Sequence, residues 1–193
     1  GANTYMAICA GIASLSGHLH GGANESVMKM MKDLKNHISD WEDEDAIKSY
    51  LVDVLEKRAG DGSGKIYGMG HAVYTLSDPR AILFREKAEE YARAHKNLKE
   101  LYLFDRVAKV AAELVKERKG TLVSPNVDFY SGLIYKMMGI PMELYTPIFA
   151  MARVVGWSAH RIEQIVQAKI IRPAYVSSLY DEYREYQPLN ERM

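Results

Sequence analysis

Apolar side chains in this sequence recur three and four positions apart, again and again along the chain, and a chain patterned that way buries them on one face of a helix. Val27, Met30, Met31, Leu34 and Ile38 fall on one such face, with Lys29, Lys32 and Asp33 elsewhere. Ile47, Tyr50, Leu51, Val54 and Leu55 repeat the pattern behind an acidic first turn, residues 42–45, whose charge suits a helix N-terminus. Leu101, Val107, Ala108, Ala111, Leu114 and Val115 mark another helix that stops at Gly120. Residues 5–15 are small and apolar and read as a buried helix; 127–138 and 142 to about 167 complete the set. A helix is also expected over 79 to about 95, because Asp78 can cap it and Pro79 suits the first helical position, where its missing N–H was unpaired anyway. Alternation is confined to a short candidate strand at 65–67, and the tail, with Pro173 and Pro188, is expected to lie extended against the surface. The expected fold class is all-α.

Composition narrows the partners. With 25 Lys+Arg against 25 Asp+Glu there is no uniform field to draw in nucleic acid or an anionic bilayer, so neither is expected as a partner. No run approaches the roughly 20 apolar residues of a membrane span. The single Cys9 allows no internal disulfide and no cysteine cage for a metal, which fits a reducing compartment, cytoplasm or organelle matrix. The chain opens Gly1-Ala2-Asn3-Thr4-Tyr5 without an initiating Met or a signal-peptide pattern, and the abrupt start suggests that sequence upstream is missing.

Several residues invite chemistry. His18 and His20 sit in a turn with Gly21 and Gly22. A zinc site needs at least three protein ligands, and no cysteine or carboxylate pair adjoins them, so no metal is expected. One imidazole beside a helix N-terminus can instead stay neutral and donate a hydrogen bond, or the pair can be turn residues without a task. Gly68-Met69-Gly70-His71 resembles the start of a dinucleotide fingerprint but lacks its third glycine, its preceding strand and its acidic residue. The loop can still offer bare backbone groups to a ligand, with His71 in the same cavity, or be a surface hinge. Arg80, at the helix start that Asp78 caps, makes a natural carboxylate site or an ordinary solvated residue. Asp128 lies in the first turn of its helix, where a carboxylate also suits the dipole. Arg153, amid Phe149, Met151, Val154 and Val155, is expensive to place unless an anion meets it. Met137, Met138, Met142 and Met151 read as packing residues.

Four segments taken together, 17–24 (GHLHGGAN), 68–80 (GMGHAVYTLSDPR), 125–132 (PNVDFYSG) and 149–157 (FAMARVVGW), resemble the citrate synthase family in order and spacing, across essentially the whole chain. The resemblance implies condensation of acetyl-CoA with oxaloacetate and water to give citrate and CoA through an enol, with no cofactor, acetyl-CoA being a substrate. It implies Asp128 as the base that removes the methyl proton, His20 as hydrogen-bond donor to the thioester oxygen, and His71 as the group that polarises the ketone. Arg80 and Arg153, with His71, match the oxaloacetate ligands, and Arg172 resembles an arginine supplied by the other subunit of a homodimer. Lys65, Ile66, Tyr67, Gly68, Met69 and Gly70 resemble the segment whose backbone contacts the CoA adenine. Thr75 stands where many family members carry a basic residue for a CoA phosphate. Residues 73–80 are also similar to methylcitrate synthases, which makes propionyl-CoA a second donor; one methylene in an apolar pocket separates two substrates by only roughly 1–3 kcal/mol.

The family's longer chains imply that this one is a C-terminal fragment, inactive alone: 1–21 part of the large domain with the catalytic-histidine turn, 22–143 the small domain, and 144–193 the C-terminal large-domain helix and tail. With Asp128 and Arg153 on different domains, closure upon ligand is expected to assemble the site. Cytoplasmic location is implied for a bacterial enzyme and the mitochondrial matrix for a eukaryotic one. The reading from another class is a helical interaction module without catalysis, holding a partner on the apolar surfaces of 5–15 and 142–157.

Overall fold

The computed structural model describes residues 1–17, 20–74, 76–170, 172, 174 and 185–192. Among them are seven α-helices: α1 (Thr4–Leu15), α2 (Ala23–His37), α3 (Glu44–Leu55), α4 (Pro79–Ala94), α5 (Leu98–Lys119), α6 (Val127–Met137) and α7 (Tyr145–Gln167). Local chemistry sets their ends. Asp43 Oδ1 accepts from the N–H groups of Asp45 and Ala46 (2.9 and 3.0 Å) at the start of α3, and Asn3 Oδ1 accepts from Met6 N–H at the start of α1. Gly120, at φ 65°, takes the left-handed conformation that ends α5.

Helices α2 to α6 form one body, with α6 packed against both α2 and α4, and α5 against α3 and α4. The apolar faces read from the sequence supply its centre: Val27, Met31, Leu34, Ile47, Leu51, Leu101, Phe104, Val107, Phe129 and Leu133 are buried. Phe104 and Phe129 meet edge to face at 5.5 Å. At the α2–α6 crossing the helices come so close that a Cβ on Gly132 would lie 2.6 Å from Met28 Cγ. Helices α1 and α7 pack on one another beside this body. Leu15 alone is buried on α1 and Tyr145 alone on α7, while Tyr5, Met151 and Val155 are exposed. The expectation of a buried helix at 5–15 is thus corrected: the apolar residues are there, but α7 covers only part of their surface.

Two further expectations change. No strand forms at 65–67. Gly64, Gly68 and Gly70 take positive φ (75°, 78° and 85°), which turns the chain too often for a ladder and leaves one isolated bridge, Met69 with Pro125. In the tail, Pro173 and residues 175–184 lie outside the described residues. Tyr186 and Leu189 are exposed and the end makes a single 3-10 turn, Leu189–Glu191, so this part does not lie against the surface. No described helix is long and apolar enough to cross a membrane.

A buried carboxylate ties three helices of the body together. Glu100 of α5 accepts from Lys136 of α6 (2.6 and 2.8 Å) and from Lys35 of α2. Burial pushes its carboxyl up, but the two ammonium groups outweigh burial and hold it below the usual glutamate range. Glu100→Gln is expected to cost about 2 kcal/mol in urea unfolding at pH 7, less than the roughly 3–5 kcal/mol of a fully buried pair, because Lys136 is half exposed. A depressed carboxyl stabilises above its unfolded pKa and loses that effect as pH falls through its folded value, so the difference from the parent should shrink on acidification. A pH-independent difference would contradict this.

Candidate active site

The site is built where α4, α6 and the glycine loop meet. Asp78, buried, anchors it. Its Oδ1 accepts from Arg80 N–H (3.0 Å) as the α4 cap and from Arg80 Nε (3.0 Å), while Oδ2 accepts from Arg80 Nη2 (2.8 Å) and from Val127 N–H (3.1 Å) at the start of α6. One carboxylate therefore caps a helix, grips a guanidinium with both oxygens and ties two helix starts together. Arg80 in turn holds the Asp78 carboxyl below the usual range.

Asn126 makes the second tie. Its Oδ1 caps α6 by accepting from Asp128 N–H (3.0 Å), and its Nδ2 donates to Gly70 O (2.9 Å). The backbone adds Asn126 N–H to Gly68 O and Gly70 N–H to Ser124 O, both 2.8 Å. This stitching needs Gly68 to be glycine: besides its positive φ, a Cβ there would lie 2.8 Å from both Phe129 and Val27 side-chain atoms. The loop that ends in His71 is thus fixed to the helix that carries Asp128.

His71 is oriented by its own turn. The N–H groups of Val73 and Tyr74 donate to Nδ1 (3.0 and 3.3 Å), which assigns the ring proton to Nε2. Arg80 Nη2 lies 3.3 Å from that Nε2. A guanidinium only donates, so two donors face the same point and neither can satisfy the other. What fits between them is an acceptor: a carbonyl or carboxylate oxygen.

Asp128 is half-buried beside them. Burial pushes its carboxyl above the usual aspartate range; Arg80, His20 and His71 pull it back, and Asp78 adds to the rise. The same side chains therefore act on one carboxylate. His20, from the turn after α1, comes into this group because Gly21 O accepts from Thr146 of α7 (2.8 Å) while Tyr145 donates to Gly132 O of α6 (3.1 Å). Arg153 reaches the same side through Phe149, whose ring meets His20 at 6.0 Å and carries the Arg153 guanidinium at 4.8 Å. Among the described residues Arg153 has no ion pair. Arg172 is exposed and without a partner among the described residues, and no described contact brings it to the site. His18 and Thr75 lie outside the described residues.

Lys65, Ile66, Tyr67, Gly68 and Met69 line a separate cavity of about 410 Å3, next to Gly70 and His71. Asn126, Phe149, Tyr145 and Thr146 were not among the expected site residues. The cap position of Asn126 is readable from Pro125-Asn126, but its reach to Gly70, 56 residues away, is a product of folding.

A half-buried carboxylate faced by two imidazoles and a guanidinium, with a second guanidinium nearby, can exchange a proton and offer donors to anionic or carbonyl oxygens. Comparison with known proteins places it further. A family model described as "Citrate synthase, C-terminal domain" matches residues 1–174. The citrate synthase of Haloferax volcanii is 40% identical over 169 residues, 88% of this chain and 40% of that protein. The 2-methylcitrate synthase 1 of Corynebacterium glutamicum is 35% identical over 192 residues, 98% of this chain and 45% of that protein. A citrate synthase from Thermoplasma acidophilum, solved in ternary complex with carboxymethyl coenzyme A and oxaloacetate, superimposes with a TM-score of 0.71 at 31% identity, covering 98% of this chain and 47% of that one. The chain belongs to the citrate synthase family, and it spans less than half the length of these relatives.

Two variants test the geometry. Asp78→Ser keeps a good cap but removes the arms to Arg80 and Val127, and is expected to lower stability by about 2–3 kcal/mol in urea unfolding. A loss no larger than the roughly 1 kcal/mol of a helix cap would show that the cross-tie adds nothing. Asp128→Asn should raise the Tm at pH 7 to 8. A carboxyl whose folded pKa is raised weakens the fold progressively as pH climbs from the ordinary aspartate range through the raised value, so the gain should vanish below about pH 4. An unchanged or lower Tm at neutral pH would contradict the burial cost.

Proposed function

We propose that the chain carries the proton-transfer and ketone-polarising part of a citrate synthase, joining acetyl-CoA to oxaloacetate. The observation that carries this reading is the gathering of Arg80, His20 and His71 around the half-buried Asp128. A thioester methyl proton is weakly acidic. A carboxylate removes it only where its own basicity is raised and the charge growing on the thioester oxygen is met at the same time. Burial raises Asp128, and His20 donates to the thioester oxygen. The enol carbon then attacks the ketone carbon of oxaloacetate, whose oxygen is met by His71 Nε2–H. Arg80 and Arg153 hold the carboxylates. Water cleaves the citryl thioester, giving citrate and the free thiol of CoA.

The rest of the arrangement follows from the same reading. Residues 22–143 act as the small domain, 1–21 and 144–193 as parts of the large one, and Arg172 serves the site of the other protomer in a homodimer. The reaction takes place in the cytoplasm, which its archaeal and bacterial relatives support. The chain matches 40% of its Haloferax relative, so we assign it no turnover by itself. The 35% identity to a 2-methylcitrate synthase supports one second reading, with propionyl-CoA as donor.

Thiol release from acetyl-CoA with oxaloacetate provides the test. Joined to the N-terminal portion that its relatives carry, the chain should turn over, and Asp128→Asn should lower kcat by about a thousandfold or more. The 193-residue chain alone should give no release above background. Oxaloacetate-dependent release that survives Asp128→Asn would contradict the assignment, and a higher kcat/KM with propionyl-CoA would move it to methylcitrate synthesis.

A further inference from the structure

The turn that follows His71 keeps one side chain back from solvent. His71, Val73 and Leu76 are exposed, whereas Tyr74 is half-buried. Its ring is not packed on the apolar centre of the body, as those of Tyr67 and Tyr135 are, and lies instead against two polar groups of the candidate site. The Tyr74 and His71 ring centroids are 4.9 Å apart with the planes tilted by 39°, and the Arg80 guanidinium carbon stands over the Tyr74 ring at 5.4 Å. Both separations lie within reach of aromatic and cation–π attraction. These contacts supply what the hydrogen bonds leave open. Asp78 grips the Arg80 guanidinium along one edge, which fixes that edge but lets the plane swing about it. The N–H groups of Val73 and Tyr74 hold His71 at Nδ1, which lets the far side of the imidazole tilt. The atoms that meet, Arg80 Nη2 and His71 Nε2, are both donors 3.3 Å apart, and their like polarity pushes them away from one another. A ring in contact with both groups opposes that separation.

We propose that Tyr74 is a positioning residue whose ring holds His71 Nε2 and Arg80 Nη2 at the spacing where one oxygen of a keto acid bridges them. This rests on the reading of the chain as part of an enzyme that takes oxaloacetate. Two donors 3.3 Å apart both reach one oxygen at ordinary hydrogen-bond lengths, so the pair is set before the substrate arrives and need not reorganise around it. Tyr74 touches His71 twice, through its backbone N–H and through its ring, and so couples the imidazole to the guanidinium nine residues away from it. Both side-chain contacts are made by the ring and neither by the hydroxyl, so phenylalanine serves in its place and an aliphatic side chain does not.

Two readouts test it. In the 193-residue chain at about pH 8, above the ordinary histidine range, 15N NMR of the His71 ring should show the proton on Nε2 in the parent and in Tyr74→Phe. In Tyr74→Leu it should show a mixture of both tautomers, because the imidazole no longer stays against the two backbone donors. In the chain joined to the N-terminal portion that its relatives carry, Tyr74→Leu should raise KM for oxaloacetate by about tenfold and leave that for acetyl-CoA within about twofold. Tyr74→Phe should stay within about twofold of the parent for both substrates. An Nε2–H tautomer that persists in Tyr74→Leu, a KM for oxaloacetate that does not move, an equal rise for acetyl-CoA, or a Tyr74→Phe as impaired as Tyr74→Leu would overturn the positioning role and leave the citrate synthase reading intact. A joined parent without turnover would overturn that reading instead, and the tautomer measurement would then decide alone whether Tyr74 holds His71.

Discussion

Two short polar side chains hold the candidate active site together. Asp78 and Asn126 each cap a helix, and each uses its remaining hydrogen-bonding atom to reach a segment distant in sequence: Asp78 reaches Val127 N–H, and Asn126 reaches Gly70 O. Helix N-termini leave unpaired N–H groups that must be satisfied, so both positions call for a short oxygen-bearing side chain on local grounds. The second bond turns a local need into a long-range tie. His71, Arg80 and Asp128 come from three stretches of chain, and these bonds fix the three stretches to one another.

The assembled site carries charges and donors that its own side chains leave unmet among the described residues. His71 Nε2–H and Arg80 Nη2 face each other as donors, Arg153 has no anion among the described residues, and Asp128 pays for burial with a raised proton affinity. Each is an unmet electrostatic demand that the proposed keto-acid and thioester substrates would answer. Glu100 shows the contrast. It too is buried, yet two lysines hold it below the usual glutamate range, which makes it a structural anchor.

Much of the fold was legible because it depends on period and punctuation. The faces built on Val27, Ile47 and Leu101, the Asp78-Pro79 start of α4 and the Gly120 stop of α5 all appear where the sequence puts them. What was not legible depends on how faces are shared. The apolar run in α1 looked like a buried helix because hydropathy records what a residue prefers and not whether a neighbour covers it. The 65–67 segment looked like a strand because its glycines, rather than its apolar residues, decide the path of the chain. In the candidate site, His20, His71, Arg80 and Asp128 stand out in the sequence through their motifs, whereas Phe149, which links His20 to Arg153, is indistinguishable by sequence from a packing residue.

The account turns on Asp128 being a carboxylate whose basicity is set by burial against nearby positive charge. Following the Asp128 carboxyl carbon by 13C NMR through a pH titration measures this directly. The midpoint should lie above the ordinary aspartate value, and it should rise further in Arg80→Gln, where an opposing cation has been removed. An ordinary midpoint that is indifferent to Arg80 would mean that the two groups do not share a site.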